Sequence, residues 1–127
     1  GLHRRPSREG RGGTTQEAQP SEESEGVKNP FVKAILHIKW ATFLQRAGQY
    51  TKACEHFASS LALHPSARAH FGHGTCLARL RRRQEAAEAF SEALRMSPGM
   101  VGAHINLAGV LLSLGSYEEA VTSCRNA

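Results

Sequence analysis

The chain has 127 residues, 40% of them hydrophobic, with 16 Lys and Arg against 11 acidic residues and a formal net charge of +5. That is enough for one small domain. No run of about 18 apolar residues is present, so no transmembrane helix is expected, and no apolar segment near the N-terminus suggests a signal peptide. Every acidic residue is Glu, which removes Asp-based catalysis and Asp-rich calcium loops. The chain opens at Gly1 rather than Met, which reads as a fragment or a processed form. Cys54, Cys76 and Cys124 are widely spaced, with no C-x-x-C pair. They are expected to be reduced thiols packed between helices, not a zinc site, and they favour a reducing, cytoplasmic setting.

Residues 1–28 are expected to be a disordered tail. Gly1–Gly26 holds Gly, Ser, Thr, Pro, Gln, Arg and Glu, with Leu2 as its one large apolar side chain. Such a segment cannot bury enough surface to offset its ordering entropy. Its four arginines come early and four of its five glutamates late, leaving it at −1, so with a total of +5 the rest of the chain carries +6. Arg4–Arg5 with Ser7 is expected to be solvated linker, not a signal.

Asn29 suits an N-cap and Pro30 a first helical turn. A first helix is expected to run to about Ala47 and stop at Gly48. A second spans Tyr50 to Leu63 and ends before Pro65. Ser66 caps a third, which reaches about Leu80. A fourth covers Arg83–Met96, and Ser97–Pro98–Gly99 is a turn. A fifth covers Met100–Leu114 and ends at Gly115. A sixth starts at Tyr117. Apolar positions fall at helical spacing, as in Ala53, Phe57 and Leu61, then Ala86, Ala89, Phe90, Ala93 and Leu94. The small alanines let helices approach, and the Phe fills the gap between them.

These elements repeat. Gly48, Tyr50, Ala53, Phe57, Leu61 and Pro65 recur 33 residues later as Arg81, Arg83, Ala86, Phe90, Leu94 and Pro98, and 34 residues further on as Gly115, Tyr117, Ala120 and Cys124. A fixed period in this range marks a stacked helical array. The Gly-x-Tyr-x-x-Ala-x-x-x-Phe run closing on Pro resembles the tetratricopeptide repeat (TPR). His37, His70 and His104 stand where that family usually has an aromatic, and Ala41, Gly74 and Ala108 supply its small residue four places on. The resemblance implies an all-α fold, an α-α superhelix or TPR solenoid of helix-turn-helix units. Residues 29–127 then form an array with repeats at about 34–66, 67–100 and an incomplete 101–127. Arg at 81 and 83, in place of Gly and Tyr, questions how tight that turn is.

In this family the first helix of each pair lines a concave groove. Carried over, the groove presents Ile38, Lys39, Thr42 and Arg46, then Arg68, Phe71, Thr75 and Arg79, then Ile105, Asn106 and Gly109. Lys39, Arg46, Arg68, Arg79 and Asn106 are the expected polar contacts. Ile38, Phe71 and Ile105 are either apolar anchors or residues partly buried between helices. Lys and Arg alternating with apolar groups suit a peptide bearing carboxylates. The two-carboxylate clamp some relatives use for chaperone tails is not matched: Ile38, Thr42, Gly72 and Gly102 occupy its places, and only Asn106 resembles it. Arg81, Arg82 and Arg83, after Arg79, form a basic edge that is either solvated or open to an anionic partner.

The histidine ladder is expected to pack between helices, since imidazoles on neighbouring helices seldom converge on one metal; His70 and His73 share a face but lack a third ligand. Nucleic acid is disfavoured because the few aromatics sit at core positions. Ser113, Ser116 and Ser123 lack a nucleophile motif, and there is no Gly-rich phosphate loop. The expected function is a scaffold or adaptor module that binds an acidic peptide segment of another protein, without catalysis, metal, cofactor or membrane. The alternative is a targeting appendage of a larger enzyme, such as a transferase. Self-association through the incomplete last repeat is a third option.

Overall fold

The computed structural model of the chain describes residues 27–126, and side-chain surroundings as far as 116. The expected tail, 1–26, lies outside the described residues. Five helices follow in order: α1 Pro30–Arg46, α2 Tyr50–Leu63, α3 Ala67–Arg79, α4 Arg83–Met96 and α5 Val101–Asn126. Among the described residues there is no strand, and no helix is long and apolar enough to cross a membrane.

The starts of α1 and α3 are set by short polar side chains, as expected. Asn29 Oδ1 accepts from the Phe31 N–H at 2.8 Å and the Val32 N–H at 3.4 Å, with Pro30 at the first helical position. Ser66 Oγ accepts from the Ala69 N–H at 3.1 Å. Each satisfies a donor that the first turn would otherwise leave unpaired.

The α1–α2 and α3–α4 reversals share one hydrogen-bond pattern. Gly48 has φ of 81° and Arg81 has φ of 66°. The Gln49 N–H reaches the Leu44 carbonyl at 2.9 Å, and the Arg82 N–H reaches Leu77 at 2.9 Å. The Gly48 N–H bonds Gln45, and the Arg81 N–H bonds Ala78, both at 3.0 Å. This paired capping needs a left-handed residue, usually Gly. The second turn is therefore as tight as the first, and Arg81 bears a backbone cost of roughly 1–2 kcal/mol to make it so.

Each helix packs antiparallel on its neighbour in sequence. In addition α1 meets α3 and α3 meets α5, while α2 and α4 stay apart. The odd-numbered helices thus lie side by side and line the inner face. Phe57 and Phe90 are fully buried and act as the joints. The Phe57 ring from α2 lies directly over Gly72 of α3, with no room for a Cβ there. Phe90 from α4 covers Gly74, where an added Cβ would sit 2.9 Å from its Cε1. Ser60, also fully buried, donates to the Ala34 carbonyl at 2.9 Å. Its hydroxyl is thereby satisfied in a site where an unpaired one would be costly. Cys54 and Cys76 are buried free thiols between α2 and α3. Burial pushes both up in pKa, Cys76 to about 12, which keeps them protonated and inert. Cys124 lies outside the residues whose side chains are described.

The last expected turn is absent. Gly115 does not take a left-handed φ, and α5 runs unbroken for 26 residues through the expected boundary between helices five and six. The other two reversals are sealed on both sides: α2 docks on α1 and α3, and α4 docks on α3 and α5. A reversal after Gly115 would leave the ends of two helices unpaired. Among the described residues no helix lies beyond α5 to supply the second docking face. The straight helix keeps its internal hydrogen bonds instead.

Candidate functional site

A hollow of about 580 Å³ opens on the inner face between the C-terminal half of α3, the α3–α4 turn and the first half of α5. That volume falls within the range of ligand sites. Arg79, Arg81 and Arg83 stand around it, with Thr75, Asn106 and Ser113 as neutral polar groups. Ile105, Val110, Ala78 and the edge of Phe90 give it an apolar floor. No carboxylate of the described residues lines it. Cations around low-dielectric walls raise the local concentration of anions.

Two of the cations are held by the chain around them. The Arg79 guanidinium lies over the Tyr50 ring, 5.6 Å from its centroid, a cation–π contact that fixes the side chain while leaving its donors available. Arg81 projects from the pinned left-handed turn. Arg82 faces away: it is bidentate to Glu85 at 2.6 and 3.0 Å, an exposed pair that largely cancels its charge locally. The expected basic edge therefore divides, with Arg81 and Arg83 joining the groove and Arg82 leaving it.

The expected groove residues divide too. Arg79, Ile105 and Asn106 come together in this hollow. Ile38 and Arg68 meet in a second, smaller one of about 150 Å³, with Phe31, Ala34, Ile35, His64 and Ser66. Lys39 and Arg46 are exposed on α1 and line neither. The anchor reading of Ile38 is corrected: only 5% of it is exposed, because α2 and α3 pack around it. Phe71 is half-buried, tilted on Phe90 with centroids 5.8 Å apart and lying against Gly102 of α5. It joins repeats and offers little to a guest. Ile105, 64% exposed, is the open member of the trio.

Sequence reasoning overlooked Val110, Ser113 and the Tyr50 platform under Arg79. Ser113 occupies the place one period after Arg79, and the step from Arg46 to Arg79 was the available signal.

The histidine ladder divides: His37 packs between helices against His56, whereas His104 is exposed and turns back to the chain just before its own helix. His37 and His56 bring their Nδ1 atoms to 3.0 Å, with rings stacked at 5.2 Å. One must donate and the other accept, which requires at least the accepting ring to be neutral at Nδ1. His104 Nε2 donates to the Pro98 carbonyl at 2.8 Å. No group of three His, Cys, Asp or Glu among the described residues could hold a metal. Burial holds His37, His56, His70 and His73 below the ordinary histidine pKa. The unfolded chain, with its histidines near 6.5, then binds more protons as pH falls. Stability should be fully present above about pH 6.5 and decline as pH drops toward the depressed folded values. Thermal midpoints should be lower at pH 5.5 than at 7.5, and His56→Gln should remove part of that slope. Equal midpoints would contradict the packing described.

The fold is an array of helical hairpins with a hollow on its inner face. A family model described as Tetratricopeptide repeat matches residues 38–101 and again 77–127. These matches span most of the chain, and the chain belongs to the tetratricopeptide repeat family. Such repeats are generally protein-interaction modules, and the repeat fold is generally non-catalytic. No curated protein sequence matches the chain.

Proposed function

We propose that this chain is a binding module that takes a carboxylate-bearing peptide segment of another protein into the hollow between α3 and α5. The supporting observation is the convergence of Arg79, Arg81 and Arg83 around an apolar floor with no described carboxylate. The guanidinia would fork onto carboxylates, and Ile105 and Val110 would receive an aliphatic side chain between them. Thr75 donates its hydroxyl to the Phe71 carbonyl at 3.0 Å, so Asn106 and Ser113 are the neutral groups left to bond the peptide backbone.

The test is fluorescence anisotropy with labelled peptides that alternate Glu and Leu, against Gln-and-Leu and Lys-and-Leu controls. The Glu peptide should bind tightest. Arg79→Glu with Arg83→Glu should weaken it by at least about tenfold, more at low salt, where screening is weaker. Arg68→Glu, in the other hollow, should do much less. Equal binding of all three peptides, or no effect of the double reversal, would defeat the proposal.

A further inference from the structure

The side of α1 opposite the buried Ile38 is built of large apolar side chains. Val32, Leu36, Trp40 and Phe43 stand at i, i+4, i+8 and i+11, so they share one face within about 80° and run about 16 Å along the helix. The Trp40 and Phe43 rings stack with centroids 5.4 Å apart. Phe43 is 58% exposed, Val32 is exposed, and Leu36 and Trp40 are half-buried. Among the described residues α1 packs on α2 and α3 and on no other helix. An array end left to water ordinarily carries a polar outer face, so this one is built to be covered.

The repeat shows what kind of element covers such a face. One period after Leu36, Trp40 and Phe43 stand Ala69, His73 and Cys76, and two periods after them stand Ala103, Leu107 and Val110. Ala69, Cys76, Ala103 and Val110 are buried, because α3 there receives α2 and α5 receives α4. Cys54 of α2 reaches Cys76 across the first of these joints. These places therefore accept a helix. On α1 the side chains are larger, so a helix seated there must answer with small ones opposite the two rings. Charge sets what flanks that helix. Lys33 lies just beyond the stripe on one side, and Lys39 and Arg46 just beyond it on the other. α1 carries no carboxylate, and no ion pair among the described residues involves these three cations.

We propose that the outer face of α1 docks an amphipathic helix of another protein. Alanines or glycines of that helix lie against Trp40 and Phe43, and larger aliphatic side chains lie against Val32 and Leu36. Glutamates along both of its edges face Lys33 on one side and Lys39 and Arg46 on the other. An aromatic, apolar centre with a charged rim is the usual anatomy of such an interface. Lys39 and Arg46, which line neither hollow, gain a role here. The surface is separate from the hollow between α3 and α5, so neither reading depends on the other.

Trp40 is the one tryptophan of the chain, so its emission reports on this face. The full chain should be titrated with a synthetic peptide of about 18 residues, long enough to hold a helix. The peptide lacks aromatics and carries a stripe of Ala and Leu bordered on both sides by Glu. Emission should move to shorter wavelength and saturate. Phe43→Ser, an exposed change that should leave the thermal melt where it was, should weaken binding by about tenfold. Lys39→Glu with Arg46→Glu should weaken it severalfold, more at low salt. Arg79→Glu with Arg83→Glu should leave the Trp40 response as it was. The proposal is overturned if a peptide of the same composition with its stripe scrambled moves the emission equally. It is overturned too if the Arg79 and Arg83 reversals abolish the response, since the peptide then sits in the other hollow. The same holds if anionic lipid vesicles produce the shift and the peptide does not, or if raising the chain concentration alone produces it. A membrane or a second copy would then be what covers the face.

Discussion

Phe90→Ala should lower stability by about 3–5 kcal/mol, the usual cost of emptying an aromatic core site. The ring is fully buried, covers Gly74 and tilts on Phe71. Gly74 has no side chain with which to fill the vacancy, so the cost should fall in the upper part of that range. In a domain of this size a loss of that order lowers the thermal midpoint by roughly 15–30 °C. The Phe90 edge also floors the hollow, so acidic-peptide binding should fail at temperatures where some helix remains. Circular dichroism melts check the first effect and anisotropy the second. A loss below about 1 kcal/mol would mean that the ring is not the joint between α3 and α4.

Gly72→Ala should destabilise by about 2 kcal/mol although it places a better helix former in mid-helix. Ala gains roughly 1 kcal/mol over Gly in a helix interior. The added Cβ would clash with the far end of the Phe57 ring, its Cζ and Cε1, and forcing a group into a packed core costs about 1–3 kcal/mol or more. Overlap with a ring held on both sides should outweigh the propensity gain. Because the conflict is with one named partner, Phe57→Leu should relieve it. The double variant should then be more stable than the two single losses added together predict, the signature of coupled neighbours. Additive losses in denaturant titrations would show that the strain is taken up elsewhere.

How much of this was legible in the sequence depends on how local each cause is. The caps at Asn29 and Ser66 and the limits of α2 and α4 follow from residues within a few positions, and the chain pattern displays them. The period revealed the hairpins because matching residues recur at a fixed step. The end of α5 was misjudged because Gly115 permits a turn without compelling one, and the outcome depends on whether a second docking face exists. Ile38 and Ile105 hold the same place in the repeat yet differ in exposure, because burial depends on neighbours that a position number does not carry. The hollow lies between two of the three helices named from the sequence, but the junction of Arg79 with Arg81 and Arg83 needed the geometry of a left-handed turn at a non-glycine residue. Arg82, in the middle of the basic run, was drawn off by Glu85, a pairing that the i, i+3 spacing could have disclosed.

The left-handed backbone at Arg81 has a consequence for how a guest is received. Hydrogen bonds from the Arg81 and Arg82 N–H groups to Ala78 and Leu77 clamp the chain on both sides of its Cα. The backbone that carries the charge is therefore a rigid post, and the entropy of bringing that Cα to the rim is lost during folding. Less remains to be lost at encounter, so an anionic visitor would meet a surface already arranged to hold it.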